Sequence, residues 1–408
     1  MDIQTATGKG FIHSSAEFVS PGHPDRTADG ISALVVETHI SHHPEAHVAA
    51  ETLLTSKGPI IMAGEITSAH KITPAGYKAL AKKYIHGLGW TKAFGYDPNK
   101  IAIQVLYNTQ SVDIAQGVEK GRKQIGAGDQ GITTGYAIRK PWLPLSVDDL
   151  MPLPIVLSRD TLFGIDKLRR TSDAVKVLKP DMKSEFIISY NAKGRPVKVE
   201  RIVLAISHTE NIGLEEIRKK VQPVIDSVLA QHGLSFDIKK VYINGTGRFI
   251  VAGAPGDTGL TGRKLVIDHY GPSVPIGGGA IHGKDPSKTD ATGAQMARWV
   301  AKQIVGNDLA DQCFVVLTWA IGYPAPLKII VDFARTEKKP KQEIIKFLQT
   351  IDWSLVAAID RFGLRRLSES NIKYSNLAAW GPFGRVDDGS ARPWETVVEI
   401  KKWKNWRV

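Results

Sequence analysis

The chain sets tight strand pairs beside amphipathic helices about three times over, and that rhythm limits the folds open to it. "HVAAETLLTS-KG-PIIMAGEITS" reads as two strands joined at Lys57-Gly58, since apolar residues alternate on either side of a turn dipeptide. "FIISYNAKGRPVKVERIVLAIS" reads as a second hairpin turning at "NAKG", and a third extended pair is expected around "KVYINGTGRFIVAG". Apolar stripes at helical spacing run between them. One comprises Leu214, Ile217, Val221, Val224, Val228 and Leu229. Another, over two helices or a bent one, comprises Ile344, Ile345, Leu348, Leu355, Val356 and Ile359. A doubly wound parallel sheet would instead need regular strand–helix alternation. The reading is α+β, with sheets covered by helices on one face. No sequence repeat is visible, so any internal symmetry has to be structural.

Composition narrows the class. A chain of 408 residues with 42% hydrophobic content has room for two or three well-buried cores. Its one cysteine, Cys313, rules out an internal disulfide framework and a Cys-based zinc site. That cysteine lies in the apolar run "CFVVLTWAIG" and reads as core in a reducing, cytoplasmic protein. No apolar run approaches the ~18 residues of a membrane span, and "MDIQTATGKGFIHSS" lacks the apolar stretch of a signal peptide. The formal charge of +12 admits a nucleic-acid partner. The cations are scattered in short clusters, however, with no recognised nucleic-acid module, so neither nucleic acid nor membrane is expected as a partner.

Four glycine-marked segments carry the chemistry. In "SPGHPDRTADGISALVVE", Pro24 suits the first turn of a helix and places His23 at its N-cap. His23 and Asp25 then sit at the positive end of a helix dipole. They read either as anion- and cation-binding groups or as a plain cap. "GAGDQGITTGYA" presents Asp129 on a glycine loop, after the polar "NTQSVDIAQGVEKGRKQ", which is expected to be a mobile cover over about 108–126. "GAPGDTGLTGRK" sets Asp257, Arg263 and Lys264 on one loop, the combination a polyphosphate needs. "GGGAIHGKDPSK" matches a P-loop up to its last position, where Asp285 stands in place of Ser or Thr. Pro286 removes an N–H that a P-loop nest would use. Lys284, Lys288 and Asp290 therefore read as side chains aimed at phosphate from an extended loop, ahead of a helix with the stripe Ala294, Met296, Ala297, Val300, Ala301 and Ile304.

Together these segments resemble S-adenosylmethionine synthetases (methionine adenosyltransferases). The family's "GHPDK" stands here as "GHPDR", "GAGDQG" is intact, "GGGAFSGKDPSKVD" stands as "GGGAIHGKDPSKTD", "GDCGLTGRK" as "GDTGLTGRK", and "AAYGHFGR" as "AAWGPFGR". The order holds from about residue 13 to 395. The resemblance implies three similar subdomains with pseudo-threefold symmetry, here 13–115, 116–238 and 239–395. It implies a homodimer with active sites at the interface, in some members paired into tetramers. It also implies a reaction in which the sulfur of L-methionine attacks the ribose 5′-carbon of ATP. The displaced triphosphate is then hydrolysed to pyrophosphate and phosphate, with two Mg²⁺ per site and K⁺.

Carried over motif by motif, the resemblance places His23 on the phosphate chain, Asp25 and Asp290 on Mg²⁺, and Glu51 on K⁺. Glu65, Gln110 and Asp129 would hold methionine, and Asp257 both substrates. Asp181 and Lys183 of "KPDMKSE", Arg248 and Phe249 of "TGRF", and Ala280 would meet the nucleotide. Arg263, Lys264 and Lys284 would bind phosphates, and Lys288 methionine or phosphate. His23, Lys183, Arg263, Lys284 and Lys288 are the expected catalytic set. Departures from the family pattern are Arg26 for Lys, Pro21 for an acidic residue, Gly245 for Pro, Ser158 for His and Pro382 for His. The competing readings are a catalytically impaired regulatory homologue and an ATPase or kinase. Asp25 and Lys284 are both expected on solvent-facing loops.

Overall fold

The computed structural model describes residues 15–109, 125–237 and 240–405. The boundaries expected at 115 and 238, most of the 108–126 cover and Gln110 lie outside the described residues.

One unit is used three times. In the first, strand β1 (Ser15–Val19) leads into a long helix, α1 (Pro24–His42), and then a hairpin, β2 (His47–Leu54) and β3 (Ile60–Thr67). Helix α2 (Pro74–Gly87) and strand β4 (Ile103–Asn108) complete it. The second unit repeats the order with β5 (Gly131–Ile138), α3 (Leu153–Thr171), β6 (Leu178–Tyr190), β7 (Pro196–His208), α4 (Leu214–Gln231) and β8 (Val241–Ile243). The third has β9 (Gly259–Leu260), a one-turn α5 (Leu265–Asp268), α6 (Thr289–Gly306), β10 (Gln312–Trp319) and β11 (Lys328–Asp332). Helices α7 (Lys341–Leu348), α8 (Leu355–Phe362), α9 (Leu367–Ser370) and α10 (Tyr374–Trp380) follow.

Each hairpin founds a sheet, but each leading strand joins the sheet of another unit. The three orders are β1-β6-β7-β8, β11-β10-β5 and β4-β3-β2-β9. β1 pairs with β6, β5 with β10 and β9 with β2, all antiparallel and all at a sheet edge. β4 and β8 then add in parallel to β3 and β7. The pseudo-threefold α+β architecture expected from the family is therefore present in the strand pairing itself.

Local reasons for these elements are plain. In β2 the alternation Val48, Ala50, Thr52, Leu54 is buried while Glu51 on the other parity is exposed, the period-2 signature of a sheet with one covered face. The second hairpin turns at Asn191, whose carbonyl accepts from Gly194 N at 2.9 Å. The stripe beyond residue 340 resolves into two helices, with Ser354 capping the second through Ala357 N at 3.2 Å. The third extended pair is not formed beyond β8. Asn244 at φ 47° and Gly247 at φ 87° reverse the chain, and His208 N donates to the Phe249 carbonyl at 2.9 Å, hooking the returning segment out of the sheet.

Helix α6 departs furthest from the amphipathic expectation. Its apolar stripe faces the core as read, yet every residue except Asp290 is buried, Arg298, Lys302 and Gln303 included. Glu395, 97 residues away from Arg298, accepts from Arg298 Nε and Nη2 at 2.9 and 2.8 Å and from Lys302 at 2.6 Å.

Four histidines gather at the other end of α1. His39 is buried with Nε2 2.8 Å from the Tyr77 hydroxyl, and His42 and His70 stack at 4.1 Å. Burial pushes the His39 imidazole down to about 4, and the neighbouring charges of His70, His42, His43 and Lys71 add to the shift. The folded value lies below the ~6.5 of a free imidazole. Neutral His39 thus stabilises the fold above pH ~6.5, and that contribution fades as pH falls towards 4. We expect the melting temperature of His39→Gln to fall less than that of the wild type between pH 7.5 and 5, a difference worth about 1–2 kcal/mol. Parallel slopes for the two proteins would contradict this.

Candidate active site

The site begins at the N-terminus of α1. His23 is the N-cap with extended backbone (φ −62°, ψ 139°), and its Nδ1 accepts from Asp25 N at 3.2 Å. With Nδ1 an acceptor, the proton of the neutral ring belongs on Nε2. Burial, then the Lys264 charge, lowers this imidazole to about 3, with Asp25 opposing and Arg26 and Lys183 adding. His23 is therefore a neutral hydrogen-bond donor at physiological pH.

Asp25 is not on a solvent-facing loop as the sequence suggested, since it is only 2% exposed. Its Oδ1 accepts from Leu260 N at 2.9 Å and lies 3.5 Å from Arg263, and its Oδ2 binds Lys264. Burial would raise this carboxyl, but the Lys264 and Leu260 hydrogen bonds outweigh it and hold it below the usual range. The approach is so close that a Cβ on Gly259 would lie 2.2 Å from the Pro24 carbonyl carbon. That glycine is required by contact.

The second part of the site is the loop read as a false P-loop. Ala50 N donates to the Gly283 carbonyl at 2.7 Å and Asp285 N to that of Val48 at 2.9 Å, so the segment runs extended along β2. Asp285, where a P-loop would need a hydroxyl, is fully buried. It accepts from Val48 N and Ser287 N, each at 2.8 Å. It is a loop staple, and Lys284 beside it reaches Asp290 Oδ2 at 2.5 Å. A Cβ on Gly279 would sit 2.0 Å from Asp290 Oδ1, so a larger residue there would push the Asp290 carboxylate aside. Lys288 stands at the N-cap position of α6 without a capping bond from its side chain, which passes close to Gly128 of the loop bearing Asp129. Ala280 lies against Gly262, joining this loop to the Arg263–Lys264 loop. On β2 and β3, Glu51 and Glu65 share the open sheet face. Burial raises the Glu51 carboxyl, with Lys284 opposing and Asp29 and Glu65 adding.

The third part gathers around Asp181 on β6 and the segment that follows β8. Asp181 is buried and accepts from Gly253 N at 2.8 Å. Burial lifts it to about 7, against the Gly253 bond and with Asp257 adding. Phe249 N donates to His208 Nε2 at 3.2 Å. Two expected residues stand apart from these contacts. Arg248 pairs with Glu210 at 3.5 Å on the surface, and Lys183 reaches Glu17 across the open sheet face at 2.5 Å.

The expected metal ligands suit hard cations. Asp25, Asp290 and Glu51 are oxygen donors with lone pairs beyond those their lysine and backbone partners use. Among the described residues no three carboxylates or imidazoles converge to hold a metal.

Sequence reasoning missed Asp29, Ser32, Thr261, Asp268 and His282, all buried behind the cations. The one available signal was the spacing of Asp25, Asp29 and Ser32 at i, i+4 and i+7, a polar stripe where a helix should show an apolar one. The family departures are structural. Arg26 is fully buried and bound to Asp268. Ser158 donates to the Ala16 carbonyl at 2.9 Å, the Pro382 carbonyl accepts from Trp394 at 2.8 Å, and that of Pro21 from Thr27 at 2.9 Å. Gly245 is an exposed turn residue.

Comparison with known proteins bears on this arrangement directly. Family models described as the N-terminal, central and C-terminal domains of S-adenosylmethionine synthetase match residues 11–112, 124–249 and 251–396. The S-adenosylmethionine synthase of Fusobacterium nucleatum is 38% identical over 397 residues, covering 97% of this chain and 98% of that one. That of Paramagnetospirillum magneticum is 37% identical over 398 residues, with the same shares. A solved S-adenosylmethionine synthetase from Campylobacter jejuni, described as unusual, superposes with a TM-score of 0.83 at 29% identity, covering 96% of this chain and 98% of that one. No helix among the described residues is long and apolar enough to cross a membrane. With three domain matches in register and the shared fold, the chain belongs to the S-adenosylmethionine synthetase family.

Proposed function

We propose that the chain is a methionine adenosyltransferase that makes S-adenosylmethionine from ATP and L-methionine. A sulfur lone pair forms the new S–C5′ bond while the C5′–O bond breaks, and its electron pair leaves with the triphosphate. The barrier lies in the charge gathering on that leaving group, so groups that bind it more tightly in the transition state accelerate the step. One observation carries the reading. Neutral His23 and the cations Arg263, Lys264 and Lys284 are drawn together with Asp25 and Asp290 on loops pinned to α1, β2 and α6. In the proposed roles, His23 Nε2–H donates to a phosphate oxygen near the breaking bond. Arg263, Lys264 and Lys284 hold the triphosphate, and Lys288 lies between phosphate and methionine.

Asp25 and Asp290 would hold Mg²⁺ and Glu51 K⁺; such cations, when bound, neutralise leaving-group charge. Asp181, Lys183, Arg248, Phe249 and Ala280 are assigned to the nucleotide, Glu65 and Asp129 to methionine, and Asp257 to both. The assembly proposed is a homodimer closing the sites at its interface. Exposed Leu106 and Leu260 support it, because strand register puts them on the open sheet face that carries Glu51 and Glu65. Large exposed apolar residues on one face suit a partner surface.

The test is a product assay with ATP, methionine, Mg²⁺ and K⁺. The expected result is S-adenosylmethionine with pyrophosphate and phosphate, formed only when methionine is present. ADP as the nucleotide product would replace this reading with that of a kinase or ATPase.

A further inference from the structure

We propose that Asp29, which lies behind the cation loop, is a positioning residue that aims Arg263 and Lys264 at the triphosphate. The proposal rests on the phosphate-binding role given to those cations above. Helix α1 grips three consecutive residues of the loop. Leu260 N donates to Asp25 at 2.9 Å, and Gly262 N donates to Asp29 Oδ1 at 2.8 Å. Between them the Thr261 hydroxyl lies 2.9 Å from that of Ser32. Ser32 is itself 2.8 Å from Thr52 on β2, and Thr52 N meets Thr261 Oγ1 at 3.0 Å. Asp25, Asp29 and Ser32 fall on one helical face, so a rigid rod fixes three successive points where the chain leaves β9 and turns at Gly262, φ 82°. On the far side of the loop Arg26 holds Asp268, and Asp29 Oδ2 lies 3.6 Å from Arg26.

Arg263 and Lys264 follow directly in the chain. Their side chains converge on Asp25, Lys264 directly and the half-exposed Arg263 at 3.5 Å, so their reach depends on the point from which the backbone launches them. Asp29, fully buried, has no access to substrate; its hydrogen bond to the loop is the one it accepts from Gly262 N–H. Misplacing catalytic groups by about 1 Å can cost around 100-fold in rate, and here the last hold on the loop before Arg263 is the Asp29 carboxylate.

The experiment is calorimetric binding of inorganic tripolyphosphate, with Mg²⁺, to the full chain and its Asp29→Ala, Asp29→Asn and Ser32→Ala variants. Methionine KM and melting temperature are measured alongside. Asp29→Ala is expected to weaken tripolyphosphate binding about tenfold or more with methionine KM within twofold, since the lost acceptor held the loop that carries the cations. Asp29→Asn, whose amide oxygen can accept the same N–H, is expected to recover to within about threefold of wild type. Ser32→Ala is expected to show the same pattern more weakly, and it decides the matter if Asp29→Ala fails to fold. Equal tripolyphosphate binding by wild type, Asp29→Asn and Ser32→Ala, with Asp29→Ala either equal or unfolded, overturns the proposal. So does a loss shared equally by tripolyphosphate, methionine and thermal stability. If wild type itself fails to bind tripolyphosphate, the phosphate role of the loop falls, and this inference with it.

Discussion

Lys284→Ala should lower kcat/KM for S-adenosylmethionine formation by about 10²–10³, the usual effect of removing one preorganised charge from a developing anion. The loss is expected mainly in kcat, because negative charge concentrates on the triphosphate as the bond to C5′ breaks. The structure adds a second reason. With Lys284 gone, the Asp290 carboxylate it held at 2.5 Å would face the incoming phosphates without its counter-charge. Lys284→Arg should recover only part of the activity, since a planar fork does not fill the place of a compact ammonium. Neither change should shift the melting temperature by more than a few degrees. The backbone there is held by Asp285 and β2 whatever the side chain is. Steady-state rates from a chromatographic assay give the answer, and activity within threefold of wild type would remove Lys284 from the phosphate grip.

Glu395→Ala should be the most destabilising single substitution outside the site, at about 3–5 kcal/mol. Glu395 also accepts from Gly384 N at 2.9 Å, so one carboxylate joins α6 to the loops on either side of it. Burial would raise its pKa, yet Arg298 and Lys302 bring it down to about 2. Removing it would leave two cations buried without a counter-ion, although Arg298 would keep its bonds to the Leu150 and Asp149 carbonyls at 3.0 and 2.8 Å. Because the folded pKa lies below the unfolded value, the carboxylate contributes fully above pH ~4.5 and loses its effect as pH falls towards 2. A fall in melting temperature on the order of 10 °C is expected at neutral pH. Glu395→Gln should show much of it, because the cost is mainly one of charge. A Gln variant as stable as wild type would mean that packing, not charge pairing, holds α6 in place.

How far the sequence could be read depended on how local the cause was. The His23 cap and the two hairpins were legible because Pro24, "KG" and "NAKG" act on their own neighbours. The loops at Gly126, Gly256 and Gly277 were legible as chemistry because glycines and charges fall together. The buried face of α6 was not legible, since Arg298 and Lys302 look like a solvated face until Glu395 is placed opposite them. Nor was the burial of Asp25, which depends on a two-residue strand 235 positions away. The false third hairpin had a different cause. Its apolar residues suit a strand, but Asn244 and Gly247 take positive φ and turn the chain aside before it can pair.

The leading strands have a consequence for how this molecule can be divided. Each unit gives its first strand away and receives another's, so the three are linked like rings rather than strung like beads. A segment cut at the family-domain limits would lack its edge strand and expose an unpaired row of backbone donors and acceptors, an invitation to aggregate. It would also carry an orphan strand with no sheet to join. Closing the ring requires residues near 15 to find partners near 185, and residues near 54 to find partners near 259. Assembly therefore waits on distant segments of chain, which favours slow folding as one cooperative body over stepwise completion during synthesis.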